Sequence, residues 1–116
     1  EDIISGQGAW KYRYRPVELP EQVDGKVQDG HGLVLDSTTG DFYYTFNPTS
    51  NDTQVLVRFS HGRPAQLLGD LLLSQGTPHG LRLEGSFLYH ANNMQRVTKT
   101  TLDGTVVWST DLSDFE

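Results

Sequence analysis

The chain has 116 residues, 35% of them hydrophobic, which suits one small folded body. Its formal net charge of −6 argues against a nucleic-acid binder, because phosphate recognition needs a basic surface. The lack of cysteine excludes disulfide bonds, zinc–thiolate sites and cysteine nucleophiles.

No apolar run approaches the roughly 20 residues that a membrane-spanning helix needs, so we predict no membrane span. Glu1 and Asp2 begin the chain without the basic and apolar stretches of a signal peptide. We expect a secreted or periplasmic protein from which such a signal has been removed.

Residues 1–28 form an N-terminal extension with one predicted edge strand. Trp10–Arg15 alternates aromatic and basic residues, which is typical of a strand with one solvated face, and the prolines that follow end regular pairing. Residues 1–9 and 17–28 are predicted to be loops.

A repeated phrase follows the extension. Asp29–Asp36 reads DGHGLVLD, and Thr77–Glu84, 48 residues later, reads TPHGLRLE. Each copy continues into an aromatic strand, DFYYT at Asp41–Thr45 and SFLYH at Ser86–His90. A repeat period of about 20 to 50 residues indicates stacked supersecondary units.

Turns divide each copy into four predicted strands, because Gly62 and Gly104 can supply the positive φ of a tight hairpin. Four-stranded units of this length are typical of β-propeller blades, so we assign residues 29–76 to a first blade with its linker and 77–116 to a second. The predicted strands are Gly32–Asp36, Phe42–Phe46, Val55–Ser60 and Ala65–Gly69, then Gly80–Glu84, Phe87–Ala91, Arg96–Thr101 and Thr105–Thr110.

These motifs resemble the NHL-like branch of the six-bladed β-propellers. The similarity consists of a His-Gly-Leu entry into the inner strand, a Phe-x-Tyr second strand after a glycine, and a glycine turn before the last strand. It covers residues 29–116 and implies an all-β fold: a β-propeller portion of two four-stranded blades plus an N-terminal edge strand. Propellers close with about four to eight blades. We therefore expect further blades as partners, either from the rest of a longer chain or from other copies.

His31 and His79 occupy the same position in the two copies. In a propeller, the loop that enters the innermost strand faces the central channel, so both imidazoles are predicted to point toward one axis. They are candidate metal ligands, with a third ligand from another blade or copy. The similar peptidyl-α-hydroxyglycine amidating lyases carry histidines around a zinc, which implies zinc here. The alternative is that both histidines bond backbone carbonyls and hold the blades in register.

Other side chains extend this candidate site. The acidic residues that flank the histidine loops could bind a hard cation such as calcium through oxygen; they are Asp29, Asp36 and Glu84. Candidate substrate contacts are Tyr44, Tyr89 and His90. His90 aligns with Thr45, and a buried, hydrogen-bonded histidine is the alternative to a pore-lining one.

Three functions remain as hypotheses, and no catalytic residue is assigned. The first is a lyase or hydrolase whose metal polarises a substrate oxygen or activates water. The second is a non-enzymatic binding propeller with aromatic contacts at Trp10, Tyr12, Tyr14 and Trp108. The third is a self-assembling blade pair that forms rings or filaments.

Overall fold

The structure, a computed structural model, describes residues 3–50, 54–60, 63–72 and 77–113. Strands dominate this part of the chain. Among the described residues, no helix has both the length and the apolar character that crossing a membrane requires.

An antiparallel hairpin precedes the blades and pairs β1 (Ile4–Gln7) with β2 (Trp10–Arg13). The strand predicted at Trp10 is confirmed. The loop predicted over residues 1–9 is wrong, because Gly8 takes a φ of 60° in a tight turn and lets β1 pair with β2. Every residue of both strands is exposed, so this hairpin adds nothing to the core.

Four consecutive antiparallel strands form the first blade. They are β3 (Val27–Asp36), β4 (Asp41–Pro48), β5 (Gln54–Ser60) and β6 (Arg63–Leu72). Aromatic and β-branched residues favour the central strands β4 and β5, where they fit a pleated surface that is buried on both faces.

Four further strands form the second blade in the same order. They are β7 (Pro78–Glu84), β8 (Phe87–Asn92), β9 (Arg96–Thr101) and β10 (Val106–Asp111). All eight strands predicted after residue 28 are confirmed, with ends that differ by a few residues. The protein is thus all-β, a propeller portion of two four-stranded blades with N-terminal strands.

Apolar side chains fill the joint between the two blades. Tyr43, Leu56 and Leu68 of the first blade pack with Leu88 of the second, and all four are buried. Burying one such side chain stabilises the fold by about 1.5–3 kcal/mol, so this cluster is a major reason that the blades stay together.

The opposite face of the first blade is covered by the segment that precedes it. Val23 is fully buried and packs with Phe46, Val57 and Ala65, while Leu19 and Val27 lie at the edge of the same cluster. The predicted loop 17–28 therefore includes an anchor for the core, and it ends early because β3 already begins at Val27.

The two blades differ in the turn between their first two strands. Asp36 lies opposite Asp41 across a four-residue turn, whereas Glu84 lies opposite Phe87 across a two-residue turn. Because Asp36 and Glu84 are equivalent in the repeat, His90 corresponds to Tyr44. The alignment of His90 with Thr45 is wrong by one residue, and a one-residue shift moves a side chain to the other face of a sheet.

This register shows how the blades stack. The face of the second blade that carries Leu88 and His90 packs on the first blade, and it corresponds to the first-blade face that carries Tyr44 and Phe46. The two blades therefore contact each other through different faces: the first blade uses the face that carries Tyr43, and the second uses the face that carries His90. The second blade thus follows the first head to tail.

Candidate metal site at the inner strands

The structure brings His31 and His79 together on neighbouring inner strands. Their ring centroids are 5.7 Å apart with a 43° angle between the ring planes, and both residues are exposed. The repeat put a histidine at the same place in each blade, and the joint between the blades then places the two imidazoles side by side. An open histidine pair of this kind is accessible to a metal ion from solvent.

Gly32 explains why the phrase continues with glycine after the histidine. A Cβ atom at Gly32 would lie 2.5 Å from Cβ of Leu81 and 2.7 Å from Oγ1 of Thr45, so a side chain does not fit. The Gly32 backbone N–H donates a buried hydrogen bond of 3.1 Å to the same Thr45 oxygen. Glycine thus lets β3 approach β7, and this approach brings His31 to His79.

A second pair of glycines forms another close contact between the blades. Gly69 of β6 and Gly104, in the turn before β10, lie against each other with φ values of 67° and 87°. A Cβ on Gly104 would lie 2.8 Å from the Gly69 Cα. The turn glycine predicted at Gly104 therefore also serves the packing of one blade on the other.

The hydroxyl of Tyr44 lies against Gly30, the residue that precedes His31. Burial raises the pKa of Tyr44 above its usual value, so the group stays a neutral phenol at ordinary pH. Tyr44 is therefore close in the structure to one member of the histidine pair, and its ring packs against Phe46 with centroids 5.9 Å apart.

Tyr89 lies on the second blade's uncovered face, away from the first blade. Its ring is 6.4 Å from that of Trp108, and the Lys99 ammonium lies 3.9 Å from the centre of the Phe87 ring and 5.6 Å from that of Tyr89. Lys99 covers this aromatic group through cation–π contacts. Tyr89 and Tyr44, which the sequence suggested as one set of contacts, thus lie on different faces of their blades.

His90 is buried, with 1% of its surface exposed, on the face of β8 that packs against the first blade. Its Nε2 and Thr100 Oγ1 form a hydrogen bond of 2.9 Å. Burial lowers the pKa of His90 to about 4, so the imidazole is neutral near pH 7. This geometry fits the buried, hydrogen-bonded alternative.

Asn92, the last residue of β8, was not among the candidate residues from the sequence, because an asparagine that ends a strand is common. It is 8% exposed, and within the described part of the chain neither polar atom of its carboxamide has a hydrogen-bond partner; the same holds for Nδ1 of His90. A buried polar group without a partner costs about 1–3 kcal/mol. The sequence signal that could have identified it is the two-residue period of a strand, which places Asn92 on the same face of β8 as Leu88 and His90.

The acidic candidates do not form a larger ligand cluster with the histidine pair. Within the described ranges, no group of three or more histidine, aspartate or glutamate side chains is arranged to hold a metal ion. Glu84 instead lies 3.8 Å from Arg82 in an exposed ion pair, and Asp36 accepts a hydrogen bond from the Thr38 backbone N–H. His61, in the predicted hairpin turn, lies outside the described residues.

A recess of about 640 Å³ lies between the inner strands of the two blades, at the end away from the histidines. Leu35 and Asp36 line it from β3, and Arg82 and Leu83 line it from β7. A smaller recess of about 370 Å³ lies beside Arg58 in the first blade. No histidine is among the described residues that line either recess.

No protein-family model and no curated protein matches this chain.

Proposed function

We propose that this chain is a section of an NHL-like β-propeller that binds a divalent transition-metal ion through His31 and His79. The observation that supports the proposal is the 5.7 Å separation of the two exposed rings. Two imidazoles that bind one tetrahedral zinc have ring centres about 5 Å apart, given Zn–N bonds of about 2.0–2.1 Å. The observed separation is close to that value.

The donor set favours zinc over calcium. Imidazole nitrogen suits zinc, copper and nickel, whereas calcium takes six to eight oxygen ligands. The carboxylates of Asp36 and Glu84 are engaged with Thr38 and Arg82 rather than grouped around the histidines. We therefore propose zinc as the natural ion.

Two histidines leave coordination positions open for a ligand from another blade and for water or substrate. A bound metal would supply a Lewis acid that polarises a substrate oxygen or lowers the pKa of a bound water. Metal-assisted lyase or hydrolase chemistry is the activity that such a site would support. Tyr44, whose hydroxyl lies against the residue that precedes His31, is a candidate for a neutral hydrogen-bond donor to a bound substrate.

Metal titration of the purified chain tests the proposal. We expect zinc, or cobalt as a visible probe, to bind the wild type, and His31→Ala or His79→Ala each to weaken binding at least about tenfold, which is 1.4 kcal/mol. The double variant should bind no more tightly than a denatured chain does. His61→Ala is the control histidine and should bind as the wild type does.

The opposite result is equally clear. If His31→Ala and His79→Ala bind zinc as tightly as His61→Ala does, the histidine pair is not a metal site. The two imidazoles would then serve only the packing of successive blades.

A further inference from the structure

We propose that copies of this chain associate head to tail, with Leu33 of one copy packed beside Gly80 of another, as Leu81 packs beside Gly32 within the chain. Leu33 is equivalent to Leu81 and Gly80 is equivalent to Gly32 in the repeat. The joint between the two blades therefore serves as a template for a joint between two molecules.

Gly80 lies on the surface of the second blade that would receive the leucine of another copy. At Gly32, a Cβ atom would meet the Leu81 side chain and backbone at 2.5 and 3.0 Å. At Gly80, the same atom would meet, among the described residues, only Ala91 of its own blade, at an ordinary 3.6 Å. Close packing by a neighbouring blade thus requires glycine at Gly32, whereas at Gly80 the described residues leave room for a Cβ atom.

Leu33 lies on the surface of the first blade that would supply this leucine. Leu81 and Leu83 are half-buried and pack with the cluster between the blades, whereas their equivalents Leu33 and Leu35 are 57% and 51% exposed. The leucine pair of the second blade thus packs on a neighbouring blade, whereas the equivalent pair of the first blade faces water. We infer that the first blade lacks a neighbour at this position.

The receiving surface also has its counterpart. Within the chain, Leu81 and Leu83 pack with a cluster that includes Val34 and Tyr43. The register places Arg82 and Tyr89 at the same positions of the second blade, since Val34 pairs with Tyr43 and Arg82 with Tyr89. An incoming leucine would meet the hydrocarbon stem of Arg82 and the Tyr89 ring, together with the Lys99 side chain that lies over this ring.

The covering segment of the first blade leaves room for this contact. Leu19, Val23 and Val27 pack with Phe46 and other residues of β4, β5 and β6, and Leu33 remains exposed beside them. Within the chain, the contact between the blades is most extensive between β3 and β7, while Leu56 of β5 and Leu68 of β6 add to it. A second copy can therefore dock through the inner strands while the segment stays in place.

Such an interface joins two different surfaces, so it either closes into a ring or continues as a filament. Propellers have about four to eight blades, so a ring of two-blade chains would hold two to four copies. In the joint, His31 of the next copy would lie beside His79. This last consequence rests on the proposed metal site, for which it would supply a third imidazole.

The test is a mixing experiment with two interface variants, followed by light scattering or sedimentation with a chelator present. Gly80→Val fills the space that receives the leucine, and Leu33→Glu places a charge on the leucine side. We expect the wild type to assemble and each variant alone to be monomeric. An equimolar mixture should form a dimer and grow no further, because only one intact Leu33 surface can meet one intact Gly80 surface.

Controls separate this interface from general stickiness and from misfolding. Met94→Ser removes another exposed hydrophobic residue, 77% exposed and outside both surfaces, and should assemble as the wild type does. Both interface variants should keep the circular dichroism spectrum of the wild type, since Leu33 is exposed and a Cβ at Gly80 makes only an ordinary contact with Ala91 among the described residues.

Three outcomes would overturn the proposal: a wild type that stays monomeric at all concentrations, variants that assemble like the wild type, or a mixture of variants that stays monomeric. Because the chelator removes zinc, failure of the metal site leaves this test unchanged. Success here with no zinc binding would retain the assembly and reject only the third imidazole.

Discussion

Gly32 and Gly80 occupy the same place in the two copies of one sequence phrase, yet a neighbouring blade covers only Gly32. The same residue is therefore obligatory in one copy and merely compatible in the other. The difference shows that the joint within the chain uses the glycine of the first copy, whereas among the described residues the glycine of the second copy meets only its own blade.

A second contrast concerns one face of each blade. In the first blade this face is apolar and is covered by the segment 17–28. In the second blade the equivalent face is buried against the first blade but carries polar side chains at His90, Asn92, Thr98 and Thr100. Equivalent positions thus meet different partners, and the side chains differ accordingly.

Alanine at each glycine would test the first contrast most strongly. We expect Gly32→Ala to lower the free energy of unfolding by about 3 kcal/mol, because its Cβ would overlap Leu81 and Thr45 in a packed joint. The matched variant Gly80→Ala should change it by less than about 0.5 kcal/mol, because its Cβ would make an ordinary contact of 3.6 Å with Ala91. Urea denaturation at low protein concentration measures both.

Equal losses in the two variants would contradict the account, since they would mean that the two glycines have equivalent surroundings. A loss at Gly80 that appears only at high concentration would instead report the proposed contact between copies.

The pH dependence of stability tests the second contrast. The pKa of His90 is lowered from 6.5 to about 4 in the folded protein, so the unfolded chain binds more protons between these values. The stabilisation is fully present above pH 6.5 and is lost as the pH falls toward 4. We expect a loss of about 2 kcal/mol between pH 7.5 and pH 5 from this one group.

His90→Gln is the matched control, because it keeps a polar side chain that does not titrate. The difference between the wild-type and His90→Gln curves isolates the imidazole from the carboxylates that titrate in the same range. Parallel curves would show that His90 is solvated rather than buried between the blades.

Local signals in the sequence were enough to predict most of the fold. Turn glycines and alternating residues located the strands of both blades, because each strand is bounded by residues with a specific backbone role. The hairpin partner Ile4–Gln7 was missed, since its residues are exposed on both faces and show no alternation.

The site was only partly predictable, because it depends on contacts between distant residues. The repeat identified His31 and His79, but only the packing of β3 on β7 shows that they are neighbours. The register of His90 was missed because it depends on a turn that is two residues shorter in the second blade. No sequence pattern reveals a shift of that kind when both strands have similar composition.

The most direct test of the central claim is a nuclear Overhauser measurement between Gly32 and Leu81. The account predicts strong cross-peaks between the Gly32 α-protons and the Leu81 side chain, because a Cβ on Gly32 would lie only 2.5 Å from Cβ of Leu81. We also predict no cross-peaks between the Gly80 α-protons and the Leu33 side chain within a monomer. Cross-peaks from Gly32 to its own blade alone, with none to Leu81, would contradict the head-to-tail joint on which the site and the assembly both depend.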